Sequence, residues 1–257
     1  MRDKYWEEIV SPGDRASAFA KEICFASHGN CPAIRIIPHQ PQNFRGAVGF
    51  VWQKHILRDM LSEDLTGHSV SEEVETDGAG GKPQFFTFVG TDEAFYNLGW
   101  EIITMNADDF ARSGRFPAII SNDLQAKKIT DRNFHLFESA MKGYGQALQK
   151  SGLVNITGET AIMPHSITAF CDNNSDEQLI LTWSATCIGL QRSNLLIDGS
   201  QITPGMPIIG FWEPGYRCNG GTFFINLIRE KWGPDPRPIG WIPEAMDFVS
   251  RLTVPSK

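Results

Sequence analysis

Glu75-Thr76-Asp77-Gly78-Ala79-Gly80-Gly81-Lys82 is the stretch on which the reading of this chain turns. Three glycines within four residues let the backbone take positive φ and come close to a ligand. The acid before them can hold a divalent cation, and the lysine after them can meet a phosphate oxygen. The spacing is neither that of a Walker A loop, G-x-x-x-x-G-K-[ST], nor that of G-x-G-x-x-G. Taken alone, the stretch fits equally a plain glycine-rich turn with a solvated lysine.

Upstream, residues 14–28 read as an amphipathic helix with Asp14 as N-cap, Phe19 and Ile23 on one face and Gly29 as the stop. Ala33 to Ile37 reads as a strand that Pro38 and Pro41 end. Phe44 to Phe50 contains two glycines and reads as a turn, and residues 61–74, with Glu63, Asp64, Glu72 and Glu73, as an exposed acidic loop. Immediately downstream, Gln84-Phe85-Phe86-Thr87-Phe88-Val89 is rich in strand formers.

The next helix carries more information. Over residues 97–113, Leu98, Ile102 and Met105 form one stripe, Asp109 continues it, and Gly114 closes the run. A carboxylate on a buried stripe is costly unless a cation or donors meet it. Asp109 is therefore a candidate ligand; otherwise the helix has frayed by then, or the acid caps a neighbour. Arg115 to Ile120 reads as a strand. Residues 131–151 are the clearest helix, with Phe134, Phe137, Met141, Tyr144 and Leu148 as its core stripe, His135 at the surface and Gly152 at its end.

A short strand, Leu153 to Ile156, runs into Thr157-Gly158-Glu159-Thr160-Ala161-Ile162-Met163-Pro164. Glu159, just past a strand end, is either a site residue or a solvated loop acid. Residues 178–190 alternate, with Leu179, Leu181, Trp183, Ala185 and Cys187 facing one way, and Ile167–Phe170 is expected to pair with this strand as a hairpin. Asp198-Gly199 and Pro204-Gly205 are turns before a strand at 206–212. Glu213 to Gly221 is a second glycine loop, which opens a helix at 222–231. Such a loop suits an anion, though many bind nothing. Trp232-Gly233-Pro234 ends the helix, and a proline-rich connector follows.

Composition sets outer bounds. The 257 residues, 41% of them hydrophobic and 21% charged, are those of a soluble globular chain with material for a substantial core. A net charge of −7 without any basic block argues against sequence-independent nucleic-acid binding. The five cysteines form neither a CxxC pair nor a zinc-spaced cluster, which fits reduced thiols in the cytoplasm. The start lacks the apolar core of a signal peptide, and no run of 18 apolar residues is present to span a membrane.

The order of these motifs resembles that of aminoimidazole ribonucleotide (AIR) synthetase, the phosphoribosylformylglycinamidine cyclo-ligase. Thr76 to Lys82 resembles its TDGVGTK loop, and Met105-Asn106-Ala107-Asp108-Asp109, with Gly114 and Pro117 beyond, its MCVND helix and QGAEP. Thr157 to Pro164 is similar to GGETAEMP, Leu196 to Ser200 to IIDGS, and Gly215 to Gly220 to GLHSNG. The likeness spans residues 75–228; the first 74 residues match poorly. Arg217 stands where the family has histidine, Cys218 replaces serine, Asp108 replaces asparagine, and His165 replaces the glycine after the proline.

The resemblance implies an α+β fold, a mostly antiparallel sheet covered by helices, with sheets pairing across a homodimer. It divides the chain into a divergent segment 1–74, an ATP-binding domain 75–240 and a connector 241–257 toward a C-terminal domain that this sequence lacks. The implied reaction is ATP-dependent ring closure in purine biosynthesis: formylglycinamidine ribonucleotide and ATP give aminoimidazole ribonucleotide, ADP and phosphate. ATP phosphorylates the formyl amide oxygen, and an internal nitrogen then attacks the activated carbon. Asp77, Asp109 and Glu159 would bind Mg²⁺; Asp109 and Asn219 would be catalytic. Asp77, Gly78, Gly80, Lys82, Gly158, Glu159, Thr160 and Gly220 would hold the nucleotide. Two alternatives stand beside this: another ATP-using member, like thiamine-monophosphate kinase or selenophosphate synthetase, or a catalytically silent dimerisation module.

Overall fold

The computed structural model of the chain describes residues 10–37, 49–53, 55–56, 70–234 and 242–255. The expectations for Pro38, Pro41, residues 44–48, Glu63 and Asp64, and for most of the proline-rich connector lie outside these residues.

Helix α1 (Pro12–Ala26) opens with a proline in its first turn, and Ser11, not Asp14, is its N-cap. The Ser11 hydroxyl accepts the Asp14 N–H at 3.2 Å and donates to the Asp14 carboxylate at 2.8 Å, which puts the boundary three residues before the expected one. Strands β1 (Ile34–Ile37) and β2 (Gly49–Trp52) form an antiparallel pair. Strand β3 (Val70–Gly78) absorbs residues 70–74, expected as loop, together with the first half of the glycine stretch.

Helix α2 (Pro83–Val89) stands where the strand formers Gln84 to Val89 predict a strand. Pro83 suits a first helical turn, and Gly90, at φ +67°, closes the last turn by donating its N–H to the Phe86 carbonyl. The helical twist sends the adjacent buried rings of Phe85 and Phe86 into different apolar clusters, so tertiary burial overrides local preference.

Helices α3 (Asp92–Arg112) and α4 (Phe134–Ser151) flank strand β4 (Phe116–Ala126) in the chain. The two helices touch backbone to backbone. A Cβ on Gly143 would lie 1.9 Å from the Tyr96 carbonyl oxygen, and one on Gly99 2.2 Å from that of Ala140. Gly152, at φ +70°, ends α4 as expected. Strand β5 (Val154–Ile162) runs on through Gly158, Glu159 and Thr160, which are strand residues and not a loop beyond one. Strand β6 (Leu181–Arg192) keeps the predicted alternation.

The four-stranded sheet has the order β3-β6-β4-β5, with β3–β6 and β6–β4 antiparallel and β4–β5 parallel. The fold is thus α+β with a mostly antiparallel sheet under helices. The expected hairpin from Ile167–Phe170 does not form, because β6 takes its partners from β3 and β4. The sheet's dry face packs Ile120, Leu124, Trp183 and Ala185 against α3 and α4, and Ala16 of α1 joins the same cluster. Fully burying a phenylalanine such as Phe86, Phe95 or Phe137 contributes roughly 1.5–3 kcal/mol. On the opposite face, Ile119, Val154 and Leu190 pack with Ile34 of β1, and Phe50 and Trp52 of β2 cover them.

A third cluster joins α2 to helices α5 (Gly221–Trp232) and α6 (Pro243–Arg251) through Phe85, Ile228, Ala245 and Val249. The expected strand at 206–212 is irregular and exposed: Ile208, Phe211 and Trp212 lie almost wholly in solvent. Its apolar residues signal strand, but among the described residues no neighbouring strand accepts it.

Candidate functional site

Cross-strand register brings the polar residues together in rows. Thr76, Thr186, Ser121 and Thr157 form one row; Gly78, Ser184, Asp123 and Glu159 form the next. Ser184 and Thr186 alternate with the buried Trp183 and Ala185, so both rows face away from the dry side. Their members on β4, β5 and β6 line an open cavity of about 270 Å³ with Asn122, Gly158 and Ala185. The Thr76 and Thr186 hydroxyls hydrogen-bond at 2.9 Å. Asp123 is held by one oxygen, which accepts from Gln125 Nε2 at 2.8 Å; its other oxygen is buried without a partner among the described residues. Glu159 is exposed directly opposite it, and two like charges in that position repel unless something neutralises them. Thr160 follows, half-buried.

The two glycine loops meet at the end of β3. A Cβ on Gly80, where φ is +54°, would sit 3.3 Å from the Cys218 carbonyl oxygen, and one on Gly221 would sit 3.2 Å from the Gly81 Cα. Segments some 140 residues apart therefore lie backbone against backbone, a fit that only glycine allows. Asn219 and Gly220 (φ +90°) are exposed at the start of α5. Asp77 accepts the N–H of its own neighbour Gly78 at 2.7 Å.

Lys82 does not face this opening. Its Nζ lies 2.7 Å from Glu101 Oε1 of α3, with both side chains fully buried, and it also donates to the Tyr216 carbonyl. The expectation that Lys82 meets a phosphate is corrected: a non-local carboxylate has taken its charge. Glu101 also accepts from the Cys218 thiol at 3.8 Å, and burial pushes that thiol up to about 12. Arg217 is more open. Its guanidinium pairs with Glu213 at 2.6 Å and with Asp108 of α3. The departures from the family pattern at 108 and 217 thus contact each other.

Asp77, Asp109 and Glu159 do not converge. Asp109, partly exposed on the last turn of α3, pairs with Arg112 at 3.4 Å, and its carbonyl accepts from Arg115. Asp77 lies on β3 and Glu159 on β5, three strand spacings apart, roughly 14 Å. One ion holds its ligands at about 2.0–2.6 Å. Among the described residues no three or more His, Cys, Asp or Glu form a metal-holding group. The three acids therefore do not fit one Mg²⁺ ion, and the expectation of a shared cation is corrected.

Sequence reasoning missed Glu101 and Asp123. Glu101 lies three residues after Leu98 and four before Met105, so the argument made for Asp109, a carboxylate on a buried stripe, applies to it with greater force. Asp123 carried no local signal; only the register of β4 against β5 pairs it with Glu159. Among the described residues no helix is long and apolar enough to cross a membrane.

Residues 69–190 match the family model for the AIR synthase related protein, N-terminal domain. The chain is 30% identical over 162 residues to a phosphoribosylformylglycinamidine cyclo-ligase of Thermococcus kodakarensis, and 28% identical over 162 residues to that of Pyrococcus furiosus. Each match covers 63% of this chain and 43% of the relative, so the chain spans less than half the length of these curated relatives. Among solved structures, E. coli HypE is similar at a TM-score of 0.42 and 14% identity, covering 74% of this chain and 47% of that one. A thiamine-monophosphate kinase from Stenotrophomonas maltophilia is similar at a TM-score of 0.37 and 16% identity, covering 72% and 42%. Over residues 69–190, a little under half of its length, the chain is similar to the N-terminal domain of AIR synthase related proteins.

Proposed function

We propose that this chain binds ATP where its two glycine loops meet and serves an ATP-dependent cyclo-ligase of purine biosynthesis. The observation that carries this reading is the backbone contact of Gly80 and Gly81 with Cys218 and Gly221. Gly80 and Gly220 are exposed there and carry no side chain, as close approach of phosphates requires. Asp77, Gly78, Gly80, Asn219 and Gly220 line the nucleotide side. Gly158 and Glu159, with the hydroxyls of Ser121, Thr157 and Ser184, line the open cavity, whose acceptors and donors suit the hydroxyls of a phosphoribosyl substrate; Thr160 follows them on β5. Catalysis of this kind is positioning and charge neutralisation, and Asn219 is the side chain offered for it. The chain's place is the cytoplasm.

Calorimetry with Mg-ATP tests the reading. Binding that Asp77→Asn weakens about tenfold, or about 1.4 kcal/mol, and Asp109→Asn leaves unchanged is the expected result. Absence of nucleotide heat overturns it.

A silent dimerisation module is the second reading. It is favoured by the neutralised state of Lys82 and Arg217, each held by carboxylates of the chain itself. A homodimer belongs to both readings, with β3 at the sheet edge among the described residues and the apolar Ile208, Phe211 and Trp212 exposed. Sedimentation as a monomer at micromolar concentration overturns it.

A further inference from the structure

A charged pair without access to solvent lies between the dry face of the sheet and the second glycine loop. Lys82 and Glu101 are both fully buried, 2.7 Å apart. Each also reaches the same short segment of the loop: Lys82 donates to the Tyr216 carbonyl, and Glu101 accepts from the Cys218 thiol. The ammonium further lies 5.2 Å from the Tyr216 ring centroid and 5.8 Å from that of Phe86.

Taking two charges out of water costs several kcal/mol per ion, and buried pairs replaced by apolar residues of similar volume often leave stability unchanged or improved. Net stability is therefore a weak reason for this pair. Direction is a stronger one, because an apolar pair fills the same space yet offers nothing to the Tyr216 carbonyl or the Cys218 thiol. The loop also packs against Gly80, Gly81 and Phe85, but its other polar ties are looser. The contacts of Arg217 to Glu213 and Asp108 are partly exposed and screened by salt. The Tyr216 hydroxyl donates to the Cys218 carbonyl within the loop itself, at 3.1 Å.

We propose that Lys82 and Glu101 are positioning residues that fix residues 216–220 of the second glycine loop at a set distance from residues 78–81. The pair acts on the loop and touches no ligand, so the inference stands whatever the loop binds and is independent of the nucleotide reading.

Cys218 supplies the test, because it sits in the loop, is buried, and has its thiol pushed up to about 12 by burial. Cys187, in the central strand β6 and likewise buried, is the internal control. Native protein is treated with N-ethylmaleimide, and each site is read by peptide mass spectrometry. In the double variant Lys82→Met/Glu101→Leu, labelling at Cys218 is expected to rise at least about tenfold while Cys187 stays protected. Lys82→Met/Glu101→Gln keeps an acceptor for the thiol and is expected to fall between this variant and the wild type. Cys218 remaining as protected as Cys187 overturns the proposal, as does parallel acceleration at both sites, which marks a purely structural pair.

The wild type gives a second measurement should the variants fail to fold. Cys218 labelling is expected to follow urea with the same steep dependence as Cys187, because the loop opens only when the body does. Labelling of Cys218 that is insensitive to urea overturns the proposal.

Discussion

The two glycine loops are alike in composition and differ in how deeply each buries its charge. Each places glycines beside one basic residue, Lys82 in the first and Arg217 in the second, and each reads as a ligand loop. Lys82 is sealed against Glu101, whereas Arg217 stays partly exposed between Asp108 and Glu213. A charge beside glycines therefore says little about a ligand until its partner is known. Helix α3 supplies a carboxylate to both, Glu101 to Lys82 and Asp108 to Arg217, while Glu213 of the second loop itself also holds Arg217.

This contrast can be broken by experiment, and the largest effect is expected at the buried end. Lys82→Ala leaves Glu101 uncompensated in the interior and should lower stability by about 3–5 kcal/mol in urea unfolding. A loss under about 1 kcal/mol would place the lysine in solvent and erase the difference between the loops. At the contact between the loops, Gly80→Ala forces a Cβ into a left-handed residue and to within 3.3 Å of the Cys218 carbonyl. About 1–2 kcal/mol should be lost there; an unchanged midpoint would mean that the loops do not touch. Arg217→Ala should cost the least, about 0.2–1 kcal/mol, and that cost should shrink further in high salt. A salt-independent loss of several kcal/mol would show that Arg217 is held as tightly as Lys82.

The same contrast explains what the sequence could and could not convey. Local patterns carried the long helices and β6, since the stripe from Phe137 to Leu148 and the alternation from Leu181 to Cys187 are each set by one buried face. They failed where a short segment's state is decided by distant packing, as in α2, or where a strand lies on a polar face. Gly158-Glu159-Thr160 looks like a loop because its outward side meets hydroxyls and not a core. The glycines were legible as places of close backbone approach to a ligand; what the structure shows is the two loops approaching each other. The fate of Lys82 was not, because nothing in Asp77 to Lys82 refers to Glu101. The trio Asp77, Asp109 and Glu159 was assembled from motif order, which carries no distance; three strand spacings separate its two ends.

Asn122 forms part of the cavity wall, and its side-chain oxygen accepts from the indole N–H of Trp183 at 3.1 Å, on the dry side of the sheet. Tyr144 lies beside that indole, with ring centroids 5.1 Å apart. The protein thus carries its own optical gauge, a buried fluorophore tethered by one bond to the surface where a guest would sit. Any molecule that draws the Asn122 amide toward itself loosens that tether, so a blue shift of emission that Trp183→Phe abolishes would register occupancy without a label.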